Sequence, residues 1–312
     1  MSATVLKANS RQAVGGGFWL SISSHGAGSA SSKLKANPLR PEIFENEEAV
    51  GRAQLEELQR AAAGKVGDLV IILLGGRGAQ AMYRLVGRMA QTSDLDNLLN
   101  RLHVFTQDAL APLRMDNALS FVRDFERLLG DAFFRKIKSF TPMRTDTDDP
   151  ENELIRYTER LESLGGIDVF FLGLGPEPGA ASHLAYIKPG SGATSTDIAG
   201  VIPISPSILE HHINKFKVGG STVTDADEAE CRAATQIMTL GPAAILGARR
   251  IVQSIVDADT APTKRESYRR VLNAELSEDM MERAAQLDAN PGLWLRLHPN
   301  VRSLVLPDVL AA

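Results

Sequence analysis

Several features that define other protein classes are scarce in this sequence. A single cysteine, Cys231, leaves no disulfide to form within the chain, which suits a reducing compartment. No run of about 18 apolar residues is present, which speaks against a membrane-spanning helix. Lysine and arginine number 34 against 38 aspartate and glutamate, so no strong basic field exists for nucleic acid or an acidic membrane surface. These absences favour a cytoplasmic protein that binds neither.

The N-terminal stretch is poor in acidic residues, the first of which is Glu42. It is rich in Ser, Ala and Gly and carries several Lys and Arg. This composition fits an organelle transit peptide, and it fits equally a flexible tail or an arm packed on a partner. We expect a tail or arm over residues 1–38 and one domain over residues 39–312. Organelle import through the acid-free N-terminus stays open.

Three short apolar runs predict strands that are buried on both faces: residues 68–74, 102–106 and 167–172. Helical patterns separate them, as in residues 80–90 and 151–164. Strands that alternate with helices predict an α/β fold, here a single Rossmann-like, mainly parallel sheet flanked by helices. Ligands of such sheets bind beyond the carboxyl ends of the strands, so the loops at those ends are the candidate sites.

The first candidate loop follows residues 68–74 and contains Gly75, Gly76, Arg77 and Gly78. Glycines let backbone N–H groups approach an anion, the N-terminus of the following helix favours negative charge, and Arg77 adds donors for a phosphate. The loop is neither a Walker A motif nor a dinucleotide fingerprint. It is either an anion site or a tight strand-to-helix turn.

The second candidate, Asp108, follows the strand at residues 102–106. A carboxylate at a strand end can act as a general base on a bound ligand, and it can equally cap a helix or face solvent.

The third candidate loop runs from Gly173 to Gly190 and contains Glu177, His183 and Lys188. Histidine titrates near neutral pH and can move protons, although a lone histidine is as often structural. His211 and His212 are weaker candidates, because adjacent residues on a helix cannot face one metal ion. No cluster has zinc spacing, and no Gly-x-Ser-x-Gly elbow of a serine hydrolase occurs. We expect no metal and no organic cofactor.

The order of these motifs resembles the glucosamine-6-phosphate deaminase and 6-phosphogluconolactonase family. The deaminases carry a Gly-Ser-Thr-Pro loop, Met-Asp-Glu-Tyr, Gly-His-Ile-Ala-Phe-Asn-Glu-Pro-Gly, a Thr-Met-Gly segment, Lys-Ala and a final His-Pro-Asn. The corresponding pieces here lie in the same order over roughly residues 40 to 310: Gly75–Ala79, Gln107-Asp108, His183-Leu-Ala-Tyr-Ile-Lys-Pro-Gly190, Met238–Ile245, Lys264 and His298-Pro-Asn300.

The resemblance implies a role for each matched residue. Asp108 matches the base that moves a proton between C1 and C2 of an open-chain sugar, and His183 matches the histidine that opens the ring. Lys264 and the loop Gly75–Gly78 match phosphate-binding elements. Lys188, a candidate substrate ligand here, stands where the family has the Glu that supports its histidine. Glu177, a candidate catalytic residue, is the nearby carboxylate that could serve in place of the family's Asp before Gly-His.

Three functions follow from these observations. The first is an isomerase or deaminase of carbohydrate metabolism that acts on a phosphorylated sugar or amino sugar. The second is a lactonase in which His183 activates water on a sugar-phosphate lactone. The third is a non-catalytic sugar-phosphate sensor, against which no helix-turn-helix is visible in residues 1–45. The expected partner is a small sugar phosphate, and a homo-oligomer is possible.

Overall fold

The structure, a computed structural model, describes residues 8–22 and 35–311. Among these residues no helix combines the length and apolar character that crossing a membrane requires. The strands are β1 (Ala8–Gln12), β2 (Phe18–Ile22), β3 (Pro41–Ile43), β4 (Leu69–Leu73), β5 (Leu102–Thr106), β6 (Asp108–Ala111), β7 (Ser139–Thr141), β8 (Val169–Glu177), β9 (Ala181–Leu184), β10 (Asp197–Pro203), β11 (Gln236–Leu240), β12 (Ile251–Ile255) and β13 (Val301–Val305). The helices are α1 (Glu47–Ala63), α2 (Gln80–Met89), α3 (Asp96–Leu99), α4 (Phe121–Lys136), α5 (Pro150–Ser163), α6 (Pro206–Val218), α7 (Asp225–Arg232), α8 (Pro242–Gly247), α9 (Thr263–Asn273) and α10 (Met280–Ala289).

The larger sheet has the strand order β3-β13-β12-β8-β4-β5-β7, and all of these neighbours run parallel. Strand β9 adds an antiparallel hairpin to the end of β8. This confirms the α/β fold with a mainly parallel sheet. The central strands β4, β5, β8 and β12 are almost wholly buried, and for β4, β5 and β8 the short apolar runs in the sequence predict this.

The direction in which successive strands are added to the sheet reverses at β4, and this reversal brings the loops after β4, β5 and β8 together. The chain passes from β4 to β5 on one side and later enters β8 on the other. Loops after β4, β5 and β8 therefore leave the same edge of the sheet on both sides of the reversal, where α/β folds leave a crevice.

A second sheet, entirely antiparallel, has the order β1-β2-β10-β11-β6. Its first two strands correct the expectation of a tail over residues 1–38. Residues 8–22 form a hairpin whose second strand pairs with β10, so this part belongs to the domain. Residues 1–7 and 23–34 of the expected tail lie outside the described residues. The composition misled because glycines in this stretch serve a tight turn at residues 15–17, each with a positive φ.

Polar caps determine where several helices begin. Asn46 accepts a hydrogen bond from the Ala49 amide at the start of α1, at 2.9 Å. Ser205 does the same for Ile208 at the start of α6, at 3.3 Å, and Pro206 occupies the first turn. The cap of α6 fixes the start of a helix that forms one wall of a cleft at the carboxyl ends of the parallel strands.

Replacing Trp19 by Ala tests whether the hairpin belongs to the folded domain. Trp19 is 0% exposed, and its indole N–H donates to the Ser191 carbonyl at 3.1 Å. Removing so large a buried side chain should lower the free energy of unfolding by about 3–5 kcal/mol, measured by urea denaturation. Val14→Ala on the same hairpin is the control, because Val14 is 60% exposed and should change stability by less than about 0.5 kcal/mol. A Trp19→Ala variant as stable as the wild type would contradict the assignment.

Candidate functional site

A cleft opens at the carboxyl ends of the parallel strands, with about 430 Å³ of space not filled by protein atoms. Its walls come from the loop after β4, the start of β6, the β8–β9 hairpin, helix α6 and the segment from β12 to α9. The lining residues with polar or titratable side chains are Arg77, Gln107, Asp108, His183, Tyr186, His211, Lys215, Ser254, Asp257 and Lys264. The structure therefore brings together Gly75, Gly76, Arg77, Gly78, Asp108, His183 and Lys264 from the predicted set.

His183 is oriented by a carboxylate. Its Nδ1 lies 2.9 Å from Glu177 Oε1, and the second Glu177 oxygen accepts a hydrogen bond from the Ser207 hydroxyl at 2.7 Å. Burial lowers the pKa of His183 from its ordinary value, opposed by the charge of Glu177. The imidazole is therefore neutral at pH 7. Because Nδ1–H donates to the acceptor-only carboxylate, Nε2 carries the free lone pair and can accept a proton.

Gly175 gives His183 its position. A Cβ at residue 175 would come within 1.7 Å of His183 Nε2, so only glycine allows the ring to lie against the β8 backbone. This glycine pairs directly with His183 in the β8–β9 hairpin. The Gly-rich composition of the loop therefore serves the approach of a side chain to a backbone, and Nε2 faces the glycine that lines the cleft.

Lys188 does not line the cleft, so its expected role as a substrate ligand is not supported by its place in the structure. It stands where the family motif has a supporting glutamate, but the supporting carboxylate comes from Glu177. The β8–β9 hairpin explains why Glu177 takes this role. His183 pairs with Gly175 on β8, and Glu177 lies two residues further along the same strand, so the two side chains are diagonal neighbours.

Asp108 lies at the beginning of β6 and is 1% exposed. Among the described residues, no hydrogen-bond partner is found for either carboxylate oxygen. Burial raises the pKa of Asp108 to about 7, although the positive charge of Lys215 and the neighbouring Gln107 side chain oppose the rise. A carboxylate with this pKa can both take up and release a proton near neutral pH, as a general base must.

Helix α6 presents one polar side chain per turn to the site: Ser207, His211 and Lys215. Positions four apart share a helix face, so the three side chains form a stripe. His211 lies beside His183, with 6.2 Å between ring centroids. Burial, followed by the charges of Lys264 and Lys215, lowers the pKa of His211 well below its usual value, so that it is neutral.

Lys215 is the one cleft cation that has no carboxylate within 4.0 Å among the described residues. Its ammonium lies 4.8 Å from the Phe121 ring centroid and 4.9 Å from that of Tyr186. Burial lowers its pKa to about 8, with Asp108 opposing. It also lies beside the glycine loop, because a Cβ at Gly76 would come within 3.2 Å of Nζ.

The two predicted phosphate cations are already paired. The Arg77 guanidinium donates to Glu47 at 2.7 Å and to Asp259 at 3.3 Å. The Lys264 ammonium, 5% exposed, donates to both oxygens of Asp257 at 2.7 and 2.6 Å. Arg77 and Lys264 therefore line the site with much of their charge neutralised, and Lys215 supplies the uncompensated positive charge.

Comparisons with known proteins show the family to which this chain belongs. The family model described as glucosamine-6-phosphate isomerases/6-phosphogluconolactonase matches residues 45–214. Glucosamine-6-phosphate deaminase 1 of Bacillus subtilis is 26% identical over 243 residues, which cover 76% of this chain and 85% of the relative. A solved monomeric glucosamine-6-phosphate deaminase superposes with a TM-score of 0.66 at 21% identity, covering 87% of this chain and 98% of that one. The 6-phosphogluconolactonase of Trypanosoma brucei gives 0.62 at 18% identity, with coverage of 89% and 100%.

This chain belongs to the glucosamine-6-phosphate isomerase and 6-phosphogluconolactonase family. The resemblance inferred from the order of motifs is thus confirmed, and the family is one of enzymes that act on sugar phosphates. The structural likenesses, both under 25% identity, show the shared fold.

Among the polar groups that line the cleft, sequence reasoning missed Tyr186, Lys215, Ser254 and Asp257, and it treated His211 only as a weaker candidate. The four-residue spacing of Ser207, His211 and Lys215 behind the Ser205-Pro206 helix start was the available signal. For Tyr186 the available signal was its departure from the family motif, which has Phe at this position. Within the described residues, no group of His, Cys, Asp or Glu side chains is arranged to hold a metal ion.

The unpaired Asp108 carboxylate should make the stability of this protein depend on pH. A carboxyl whose pKa rises from 3.8 when unfolded to about 7 when folded favours folding at low pH, and this contribution is lost as pH rises from about 4 through 7. Relative to Asp108→Asn, the wild type should lose about 2–4 kcal/mol of unfolding free energy between pH 4 and pH 8.

Urea denaturation at several pH values measures this loss. Asp116→Asn is the control, because the Asp116 side chain is 73% exposed and should follow the wild type. Parallel stability curves for wild type and Asp108→Asn would show that Asp108 has an ordinary pKa.

Proposed function

We propose that this protein is an isomerase or deaminase that moves protons on an open-chain phosphorylated sugar or amino sugar. One observation carries the proposal: the buried carboxylate of Asp108 and the imidazole of His183 line one cleft, and neither proton-accepting end has a partner among the described residues. An aldose–ketose interconversion needs a base at carbon and a second group that handles the proton of an oxygen.

Each group suits its step. Asp108 takes a proton from one carbon of the C1–C2 pair and returns it to the other, which its pKa of about 7 allows in both directions. His183 accepts the C1 hydroxyl proton at Nε2 and delivers it to the ring oxygen as the C1–O bond of the ring breaks, and Glu177 stabilises the intervening imidazolium through Nδ1–H. Ser207 holds Glu177 in place by its hydrogen bond.

The phosphate group would bind where the glycine loop meets Lys215. Gly76 has a φ of 99°, a conformation that favours glycine, and follows the carboxyl end of β4 directly before the short helical turn Arg77–Ala79. Backbone N–H groups of such a loop can donate to phosphate oxygens. Lys215 adds a full positive charge beside Gly76, and Lys264 contributes a second cation shared with Asp257.

A lactonase is the second candidate function, and the His183–Glu177 pair favours it. A neutral imidazole oriented by a carboxylate can equally take a proton from the water that attacks a lactone carbonyl. The two functions differ in their need for Asp108, since proton abstraction from carbon is a step of isomerisation alone.

Asp108→Asn separates these functions. In an isomerase or deaminase, loss of the carbon base should lower kcat by about 10²–10⁴-fold while KM changes little, because the amide is isosteric. Turnover is followed as ketose phosphate and ammonia formed from glucosamine 6-phosphate, and as acid released from 6-phosphogluconolactone. Asp116→Asn is the control. Undiminished turnover of the amino sugar by Asp108→Asn would sink the proposal, and lactone hydrolysis that survives in this variant but not in His183→Asn would support the lactonase.

The pH profile of kcat/KM should be a narrow bell. Asp108 must be ionised to act as a base, so activity falls below about pH 7. Lys215 must be protonated to attract the phosphate, so activity falls above about pH 8. The histidines facing the cleft, His183 and His211, have lowered pKa values and stay neutral across this range. Lys215→Arg keeps its charge at higher pH, and its alkaline limb should therefore move upwards; an unmoved limb would assign it to another group.

A further inference from the structure

Tyr186 introduces a hydroxyl where the family motif has Phe, and this hydroxyl lies between two buried polar groups. It is 2.7 Å from His212 Nδ1 and accepts a hydrogen bond from the Lys215 ammonium, also at 2.7 Å. His212 Nε2 in turn lies 2.7 Å from the Leu119 carbonyl. Both Tyr186 and His212 are buried.

The direction of each hydrogen bond follows from the end of this chain. A carbonyl oxygen only accepts, so the proton between His212 and Leu119 belongs to Nε2. Burial lowers the pKa of His212 well below its usual value, which leaves a neutral ring whose Nδ1 must accept. The Tyr186 hydroxyl therefore gives its single proton to His212, and its lone pairs face Lys215.

Packing holds the pair in this arrangement. The His212 ring stacks on Phe216, with 4.5 Å between centroids, and contacts Phe121 edge-on at 5.0 Å. Tyr186 adopts a left-handed backbone with a φ of 57°, and the carbonyl of the preceding Ala185 accepts a hydrogen bond from the Thr239 hydroxyl. This conformation is unfavourable for a non-glycine residue, and the contacts around Tyr186 compensate for it.

We propose that Tyr186 and His212 are positioning residues that fix the Lys215 ammonium beside the glycine loop for the phosphate of the substrate. The inference rests on the proposed function, in which Lys215 binds the phosphate. His212 makes Tyr186 an obligate acceptor, and the acceptor holds a flexible lysine that has no carboxylate within 4.0 Å among the described residues. The Phe of the family motif could contribute the ring face but not this hydrogen bond.

Binding of inorganic phosphate, measured by isothermal titration calorimetry, tests the pair without requiring turnover. Tyr186→Phe keeps the ring and removes the acceptor, and it should weaken phosphate binding by roughly tenfold. With a sugar phosphate, KM should rise by a similar factor while kcat changes less than about twofold, because the loss affects binding in ground and transition state alike.

A double-mutant cycle distinguishes an action through Lys215 from direct contact with the ligand. Lys215→Met should weaken phosphate binding by itself, and adding Tyr186→Phe to it should then have no further effect. Tyr268→Phe is the matched control, because it removes another buried hydroxyl, bonded to Ser303, from outside the cleft lining. It should leave phosphate affinity unchanged.

His212→Phe gives a second test if Tyr186→Phe does not fold. It preserves an aromatic ring against Phe216 and removes the acceptor, so the Tyr186 proton is free to turn toward Lys215 and phosphate affinity should fall in the same direction. Wild-type phosphate affinity in Tyr186→Phe, additive effects in the cycle, or no phosphate binding by the wild type would each overturn the inference. Phosphate binding that depends on Tyr186 and Lys215 in a protein that converts no sugar phosphate would instead refute the proposed function alone.

Discussion

The cleft contains two buried groups of opposite charge, Asp108 and Lys215, that form no salt bridge, and the surrounding structure must hold them in place. Asp108 and Lys215 lie in the same site, each shifts the pKa of the other, and no salt bridge joins them within 4.0 Å. An unsatisfied buried carboxylate opposes folding, since removing such a group from water costs several kcal/mol. A fold keeps that arrangement only if the surroundings are rigid. Here the parallel sheet supplies rigidity on one side. The antiparallel sheet, whose strand β6 begins at Asp108, supplies it on the other side.

The two sheets also cooperate in placing His183. The segment between His183 and β10 is tied to the N-terminal hairpin, because the Arg11 guanidinium donates to the Gly192 carbonyl at 2.6 Å and pairs with Asp197. The Trp19 indole donates to Ser191 in the same segment. The hairpin therefore restrains the chain that follows the histidine, although none of its residues lines the cleft. A stretch whose composition predicts a tail or arm therefore contributes to the scaffold of the cleft.

The sequence allowed the parallel sheet and its loops to be predicted, because buried strands appear as continuous apolar runs and their carboxyl ends share one edge. Gly75, Gly76, Asp108 and His183 were found this way. The hairpin at residues 8–22 could not be found, since its pairing partner is β10, more than 170 residues away. Long-range antiparallel pairing leaves little local signal when the strand is short, as β2 is, and when its hairpin partner β1 is polar. Glu177 was singled out as a carboxylate near His183 in the sequence, but its hydrogen bond to the His183 ring depends on the β8–β9 register, which only the structure provides.

Helix α6 shows how the remaining groups depend on one another. Ser207, His211 and Lys215 share one face, so their positions in the cleft change together if the helix shifts or rotates. The apolar face of α6 is fixed by the buried side chains Ile208, Ile213 and Phe216, and its start is fixed by Ser205. A substitution in this apolar face would disturb the support of His183, through Ser207 and Glu177, and the position of Lys215 at once. In the proposed function, proton transfer and phosphate binding are therefore coupled through one helix, and a cavity made under α6 should impair both. Tyr186→Phe, by contrast, keeps the ring that packs against His183 and removes only the hydroxyl that holds Lys215.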